Sequence, residues 1–326
     1  MSAAPIIECK DIKKHYPIRA GVFGREVGKV RAVDGVSLSV AKGETYSLVG
    51  ESGCGKTTTG RMISLLEKPT HGEIDMYGDN ILTFKGKDLA AFRRKIQVVF
   101  QDPFSSLNPR MTVGSIIEEG MIIHNLYKTP AERRDKAVEI LGLVGLSGDQ
   151  LYRYPHEFSG GQRQRVGLAR ALATDPEFIV ADEAVSALDV SIQAQIINLL
   201  EDLQEKLDLS YLFIAHDLAV VKHLSDRVGV MYLGQLMEEA PAEDLFKNPL
   251  HPYTEALLSA IPEPDPASRN KKRIILTGDV PRPDNPPPGC RFHTRCPKAM
   301  DRCRSGVIPE FYPTENHRVK CILYEQ

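Results

Sequence analysis

The sequence predicts an α/β fold built on a doubly wound, mostly parallel sheet, and three observations carry that prediction. The apolar run at 44–49 leads straight into Gly50-Glu51-Ser52-Gly53-Cys54-Gly55-Lys56-Thr57, a complete GxxxxGK(S/T) loop. Phe178-Ile179-Val180-Ala181 is strand-sized and ends in two acids, Asp182 and Glu183. Helical spacing over 191–206 then gives way to a further apolar run at 211–215, and such β-helix-β alternation implies parallel pairing.

Taken from the amino end, short apolar runs at 6–12 and 36–40 read as a small β layer feeding the strand at 44–49. Gly50, Gly53 and Gly55 let the backbone curl until successive N–H groups converge on phosphate oxygens. A helix expected over 57–67 turns its positive end to the same place. Lys56 should reach the β- and γ-phosphates and the Thr57 hydroxyl should take Mg²⁺, because a triphosphate needs both neutralisation and a metal template. Ser52, Cys54, Gly55 and Thr58 complete the candidate nucleotide contacts, with Cys54 read as filling rather than as a reactive thiol.

Residues 72–81 read as a hairpin turned at Gly78, and 96–100 as a buried strand ending at Gln101. From Asp102 to about Gln162 the pattern becomes helical, with Val113, Ile116 and Ile117 on one face and Ala137, Ile140, Leu141 and Val144 on another. Within it Phe158-Ser159-Gly160-Gly161-Gln162 opens a helix with a glycine pair able to press backbone against phosphate. Ile192, Ile196, Leu199, Leu200, Leu203 and Leu207 carry helical spacing and are assigned to packing on the sheet. Beyond Pro262 the chain becomes proline-rich and reads as a separate, loop-rich appendage.

Bulk properties exclude several classes. A net charge of -2 argues against broad nucleic-acid binding, and Arg163, Arg165 and Arg170 read as a solvated or ion-paired surface. No apolar run reaches the length of a membrane span and no charged-then-apolar leader is evident. A cytoplasmic chain that meets the membrane through another subunit is expected. Cys9 reads as a small core residue, whereas Cys290, Cys296, Cys303 and Cys321 crowd the tail with five, six and seventeen residues intervening. That spacing matches neither zinc ribbons nor a ferredoxin run, so chemistry leaves zinc, an iron–sulfur cluster and free thiols open.

With phosphate loop, Gln101, Ser159–Gln162, Asp182-Glu183, the Ser186-Ala187-Leu188-Asp189 loop and His216 in this order, the chain resembles the ATP-binding subunit of an ABC transporter. Asn248-Pro249-Leu250-His251-Pro252-Tyr253-Thr254, the cysteine-bearing tail and the insertion at 17–30 are similar to the oligopeptide/dipeptide importer branch, in particular its second ATPase. The resemblance implies a P-loop NTPase cassette with a RecA-like core sheet and an antiparallel β layer over 1–101 and 163–261. It also implies a helical subdomain over 102–162 and the importer tail over 262–326.

It further implies a head-to-tail ATPase dimer. Tyr16 would stack on adenine, Ser159, Gly160, Gly161 and Gln162 would meet the γ-phosphate of the opposite subunit, and Asp189 would reach across. Asp182 and Gln101 would serve Mg²⁺, Glu183 would polarise water, and His216 would complete the γ-phosphate site. The four tail thiolates would hold a structural 4Fe-4S cluster. Expected partners are a second ATPase subunit, two permease subunits and an extracytoplasmic peptide-binding protein, on the cytoplasmic side of the membrane and without nucleic acid. Nickel or another small solute as cargo, or a soluble ABC ATPase outside transport, are the alternatives. The usual Asp-Glu-Pro-Thr run reads Asp182-Glu183-Ala184-Val185 here, and losing the proline is expected to loosen the turn carrying Glu183.

Overall fold

The computed structural model describes residues 5–21, 24–102, 106–261 and 274–325. The strands are β1 (Ile7–Ala20), β2 (Arg25–Val40), β3 (Thr45–Val49), β4 (His71–Met76), β5 (Asp79–Asn80), β6 (Ile96–Val99), β7 (Phe178–Asp182), β8 (Ser210–Ile214), β9 (Arg227–Tyr232), β10 (Gln235–Pro241), β11 (Phe311–Thr314) and β12 (His317–Val319). The helices are α1 (Lys56–Ile63), α2 (Gly86–Lys95), α3 (Val113–Ile123), α4 (Pro130–Leu143), α5 (Gly160–Leu172), α6 (Val190–Leu207), α7 (Leu218–Leu224), α8 (Ala242–Lys247) and α9 (Pro252–Leu258). The chain divides into two compact units: Met1–Ile7, Val40–Thr45 and Asp75–Ile214 form one, and Glu8–Ser39, Tyr46–Ile74 and Ala215–Gln326 the other.

In the first unit β8, β7 and β6 lie side by side in parallel, with Val98 opposite Val180 and Asp182 opposite Ile214. Phe178 to Ala181 and Tyr211 to Ile214 are buried, as parallel strands covered on both faces must be. The α6 helix covers β8, and the Tyr211 hydroxyl donates to the Leu200 carbonyl. Ile196, Leu199, Leu200 and Leu203 are buried as the spacing predicts. Leu207 is 42% exposed, however, because the helix ends there and Asp208 turns left-handed. The helices α3 and α4 pack against α5, and Thr112 and Thr129 cap the first two. The sequence reading missed α2, a short and strongly polar helix that buries only Phe92. The β4–β5 hairpin turns at Tyr77 and Gly78, both with positive φ, the geometry of a tight two-residue turn.

In the second unit the sheet order is β11-β12-β10-β9-β3, with β3 and β9 parallel and the remaining pairs antiparallel. A separate layer places β1 between β2 and β4. The insertion expected at 17–30 is an extension of this layer: β1 runs on to Ala20 and β2 begins at Arg25. The helix expected over 57–67 is shorter, because Ser64 caps it and Leu65 has φ 52.

The expected tail boundary at Pro262 lies outside the described residues. The described tail belongs to the same unit as the phosphate loop, with β12 paired to β10 through Glu238 opposite Val319 and Glu239 opposite Arg318. Among the described residues no helix is long and apolar enough to cross a membrane.

Candidate nucleotide site and cysteine cavity

The phosphate loop is built by strand, curl and helix in immediate succession. The buried β3 delivers the chain to Gly50, whose φ of 148 only glycine adopts readily. A Cβ at Gly50 would collide with the Met231 carbonyl, and one at Gly55 with the Ala32 carbonyl. Gly55 caps α1 with φ 108. The Gly234 N–H donates to the Cys54 carbonyl at 2.8 Å, tying the loop to the β9–β10 turn.

Lys56 is 4% exposed, and its ammonium donates to the Gly50 carbonyl at 2.7 Å and the Glu51 carbonyl at 3.2 Å. A buried ammonium needs acceptors, and the loop's own carbonyls supply them. Ser52 and Gly53 are exposed, and Thr57 and Thr58 half-buried. Cys54 is buried, and burial outweighs the nearby Lys56 ammonium to push its thiol up, which matches the filling role.

Tyr16 stands on β1 beside α1. Its hydroxyl donates to Glu67 Oε2 at 2.6 Å, the Thr58 side chain also bonds it, and the Lys14 ammonium lies 5.2 Å from the ring centroid. Burial, then Glu67, raises the phenol to about 12.

At the acidic strand end Asp182 closes β7 and is 9% exposed. Glu183 follows with φ 49, a left-handed backbone unusual outside glycine. Its N–H donates to the Ile214 carbonyl at 2.9 Å, and its carbonyl accepts the Ser186 N–H at 3.1 Å and Ser186 Oγ at 2.9 Å. Ala184 and Val185 are buried beneath it. The expected loosening is therefore not found: three hydrogen bonds and two packed apolar side chains hold the turn without proline. Gln101 Nε2 donates to Glu183 Oε2 at 2.8 Å and lies 3.4 Å from Ser186 Oγ.

Ser159 caps α5, and its N–H is answered by Gln162 Oε1 at 3.0 Å in a reciprocal capping box. Gly161 lacks room for any side chain, since a Cβ would strike Ile192 on α6. Asp189 caps α6, accepting from the Ile192 N–H at 3.0 Å and Ser191 Oγ at 2.9 Å, which holds its carboxyl below the ordinary range. Gly160 is exposed and a Cβ there would lie 3.6 Å from Leu188, so the glycine pair and the Ser186–Asp189 loop are neighbours. Arg163, Arg165 and Arg170 donate to the carbonyls of Pro155, Val144 and Ser106 and pin the helical insertion from within. His216 follows β8 in sequence and is exposed.

The structure brings Gln101 together with Glu183, the Gly160–Gly161 pair with the Asp189 loop, and Tyr16 with Thr58. The phosphate loop, Tyr16 and His216 lie in the second unit, and the remaining nucleotide-site candidates in the first.

All four tail cysteines line one small, largely enclosed cavity together with His251, His293 and Lys298. Cys290, Cys303 and Cys321 are buried, and burial raises the Cys290 thiol to about 12 and the Cys321 thiol to about 11. Such thiols stay protonated unless a cation takes them. Among the described residues no group of His, Cys, Asp or Glu is gathered closely enough to hold a single metal ion. His251 is 1% exposed; its Nδ1 accepts the Tyr253 N–H at 3.0 Å, so Nε2 carries the proton, and that buried donor has no partner.

Sequence reasoning missed Glu238. It accepts the Leu250 and His251 N–H groups at 2.7 and 2.9 Å and pairs with His317 Nε2 at 2.6 Å, while 1% exposed. The available signal was a pair of acids, Glu238 and Glu239, directly after the apolar Leu236 and Met237.

Residues 33–186 match the ABC transporter family, and 237–303 match the oligopeptide/dipeptide transporter C-terminal region. The chain is 57% identical over 98% of its length to the oligopeptide transport ATP-binding protein AppF of Bacillus subtilis, covering 97% of that protein. It is 53% identical over 99% of its length to YkfD of the same organism, covering 97% of it. Among solved structures, the dimeric ATP-binding cassette MJ0796, in a post-hydrolysis state bound to ADP and Pi, is 31% identical with a TM-score of 0.64, covering 72% of this chain and 98% of that one. The cbiO1 protein of Clostridium perfringens, 24% identical with a TM-score of 0.65 over 76% of this chain and 92% of that one, shares the fold. The chain belongs to the ABC transporter ATP-binding proteins of the oligopeptide/dipeptide transporter family.

Proposed function

We propose that this chain binds and hydrolyses ATP as one half of a head-to-tail ATPase dimer and thereby powers uptake of short peptides through membrane-embedded permease subunits. The observation that carries the reading is the Glu183 carboxylate, one residue beyond the Asp182 strand end, fixed in left-handed backbone and hydrogen bonded to Gln101 at 2.8 Å. Glu183 serves as general base toward the attacking water and Gln101 orients it, while the Asp182 carboxylate and the Thr57 hydroxyl are each oxygen donors of the kind that would hold Mg²⁺, which would supply charge neutralisation at the phosphates. Lys56 exchanges its carbonyl partners for phosphate oxygens, Tyr16 supports adenine, and His216 meets the γ-phosphate. Ser159, Gly160, Gly161 and Gln162, backed by Asp189, close the opposite subunit's site. The dimeric cassette MJ0796 supports the dimer, and the names of AppF and its relatives support the peptide cargo.

The division is a cassette core over 1–101 and 163–261, a helical subdomain over 102–162 and a tail over 262–326. Ile122 and Ile123, 54% and 67% exposed at the end of α3, suit docking on permease subunits at the cytoplasmic face. The second ATPase subunit is a related chain rather than a copy, and an extracytoplasmic protein delivers the peptide.

The tail cysteines form a structural 4Fe-4S site. Four thiols lining one cavity match the ligand number of such a cluster, and the unpartnered His251 N–H suits an anionic sulfur group.

Glu183→Gln tests the catalytic reading: ATP-driven dimerisation should persist while turnover falls by about a hundredfold or more. A variant that hydrolyses like wild type removes Glu183 from the role. The visible spectrum and metal content of the anaerobically purified chain test the cluster; a colourless, zinc-bearing protein overturns it.

A further inference from the structure

We propose that Arg295 and Tyr253, both in the C-terminal region, are positioning residues for the phosphate loop, and that Arg295 neutralises an acid which would otherwise repel ATP. This rests on the reading that the loop binds ATP.

Glu51 is the second residue of the loop, so an unneutralised carboxylate there would stand close to the polyanion that the loop exists to hold and repel it. Its charge is answered from far along the chain: Arg295 Nη1 donates to Glu51 Oε2 at 2.8 Å across 244 residues of sequence. The Arg295 side chain is 9% exposed, its guanidinium lies 6.0 Å from the Tyr232 ring centroid, and the Glu51 side chain is 26% exposed. A pair this sheltered is screened far less than a surface pair.

The Glu51 backbone is held as well. Its N–H donates to the Tyr253 hydroxyl at 2.9 Å, and the buried Tyr253 ring packs at 4.8 Å from Tyr232 and 5.2 Å from Phe292. The Glu51 carbonyl is one of the two acceptors of Lys56, so anchoring Glu51 also sets where that ammonium starts. Both anchors have fixed footings. Tyr253 follows His251, whose N–H is held by Glu238, and Arg295 closes a turn on the Phe292 carbonyl between Cys290 and Cys296.

The test is equilibrium ATP binding, with KM and kcat for hydrolysis, on the purified full chain. Arg295→Met should weaken ATP binding and raise KM by about tenfold while kcat stays within about twofold, because the exposed carboxylate opposes binding rather than chemistry. Adding Glu51→Gln to Arg295→Met should restore affinity to within about threefold of wild type, since neither charge is then left alone. Arg295→Lys should keep most of the affinity, and Tyr253→Phe should cost about threefold. Arg302→Ala, which breaks an exposed tail ion pair with Glu325, should change nothing.

If Arg295→Met leaves ATP affinity unchanged, or if the double variant binds no better than Arg295→Met, the proposal fails. A wild-type chain that binds no ATP overturns the function assigned to the loop instead.

Discussion

The phosphate loop and the cysteine tail share one compact unit, yet opposite forces hold them. The loop owes its shape to backbone, with glycines at φ 148, 77 and 108, a buried strand behind it and a helix in front, and the Tyr253 and Arg295 side chains anchor only its Glu51. The tail has little regular structure, and beside the β10–β12 pairing and a small apolar cluster its described part is tied down by side-chain charge. Glu238 accepts three donors, Arg291 pairs with Asp34, and Arg318 pairs with Glu239. A loop of the first kind announces itself in eight consecutive residues, whereas a tail of the second kind depends on partners that no short window contains.

The difference can be probed from its strong end to its weak one. Lys56→Ala should lower ATP affinity by about a hundredfold or more while leaving the melting temperature within a few degrees, because the lysine serves the ligand. An equally large fall in melting temperature would mean that the loop is held by side chains after all. Glu238→Gln should do the reverse, destabilising the chain by about 3 kcal/mol with ATP affinity preserved in the folded fraction, as thermal melts and binding would report. Glu238 reaches the loop only through the His251–Tyr253 footing, so a loss of affinity beyond about threefold at full folding would contradict the contrast.

The buried His251 offers a pH test. Burial lowers its folded pKa from 6.5 to about 4, against a smaller opposing pull from Glu238. Between those values the unfolded chain binds the extra proton, so stability is full above about 6.5 and falls as pH drops toward 4. His251→Phe should flatten that part of a stability–pH curve, although the lost Tyr253 cap lowers its plateau. At the weak end, breaking the exposed Arg302–Glu325 pair should shift stability by less than about 0.5 kcal/mol in denaturant titrations.

Much of the architecture was readable because it depends on contiguous chain. Strand β7 ending in Asp182, the helix opening at 158–162, the Gly78 turn and the buried stripe of α6 all follow from local pattern and period. Errors arose where neighbours far off in sequence intervene. The 17–30 segment looked like an insertion because its polar residues hide a strand pair, and α2 went unseen because it buries a single aromatic. Losing a proline after Glu183 suggested a loose turn, since only the fold supplies Ile214, Ser186 and the buried Ala184 and Val185 as replacements.

The identity of the nucleotide-binding loop, the acidic strand end and the family could all be read along the line of the chain, because backbone curl, strand length and helix capping are properties of a few adjacent residues. Which acids are neutralised could not be read that way. Charge interaction and burial depend on distance in space, and nothing in the spacing of Glu51 and Arg295, or of Glu238 and His317, marks them as partners until the sheet and the tail have folded together.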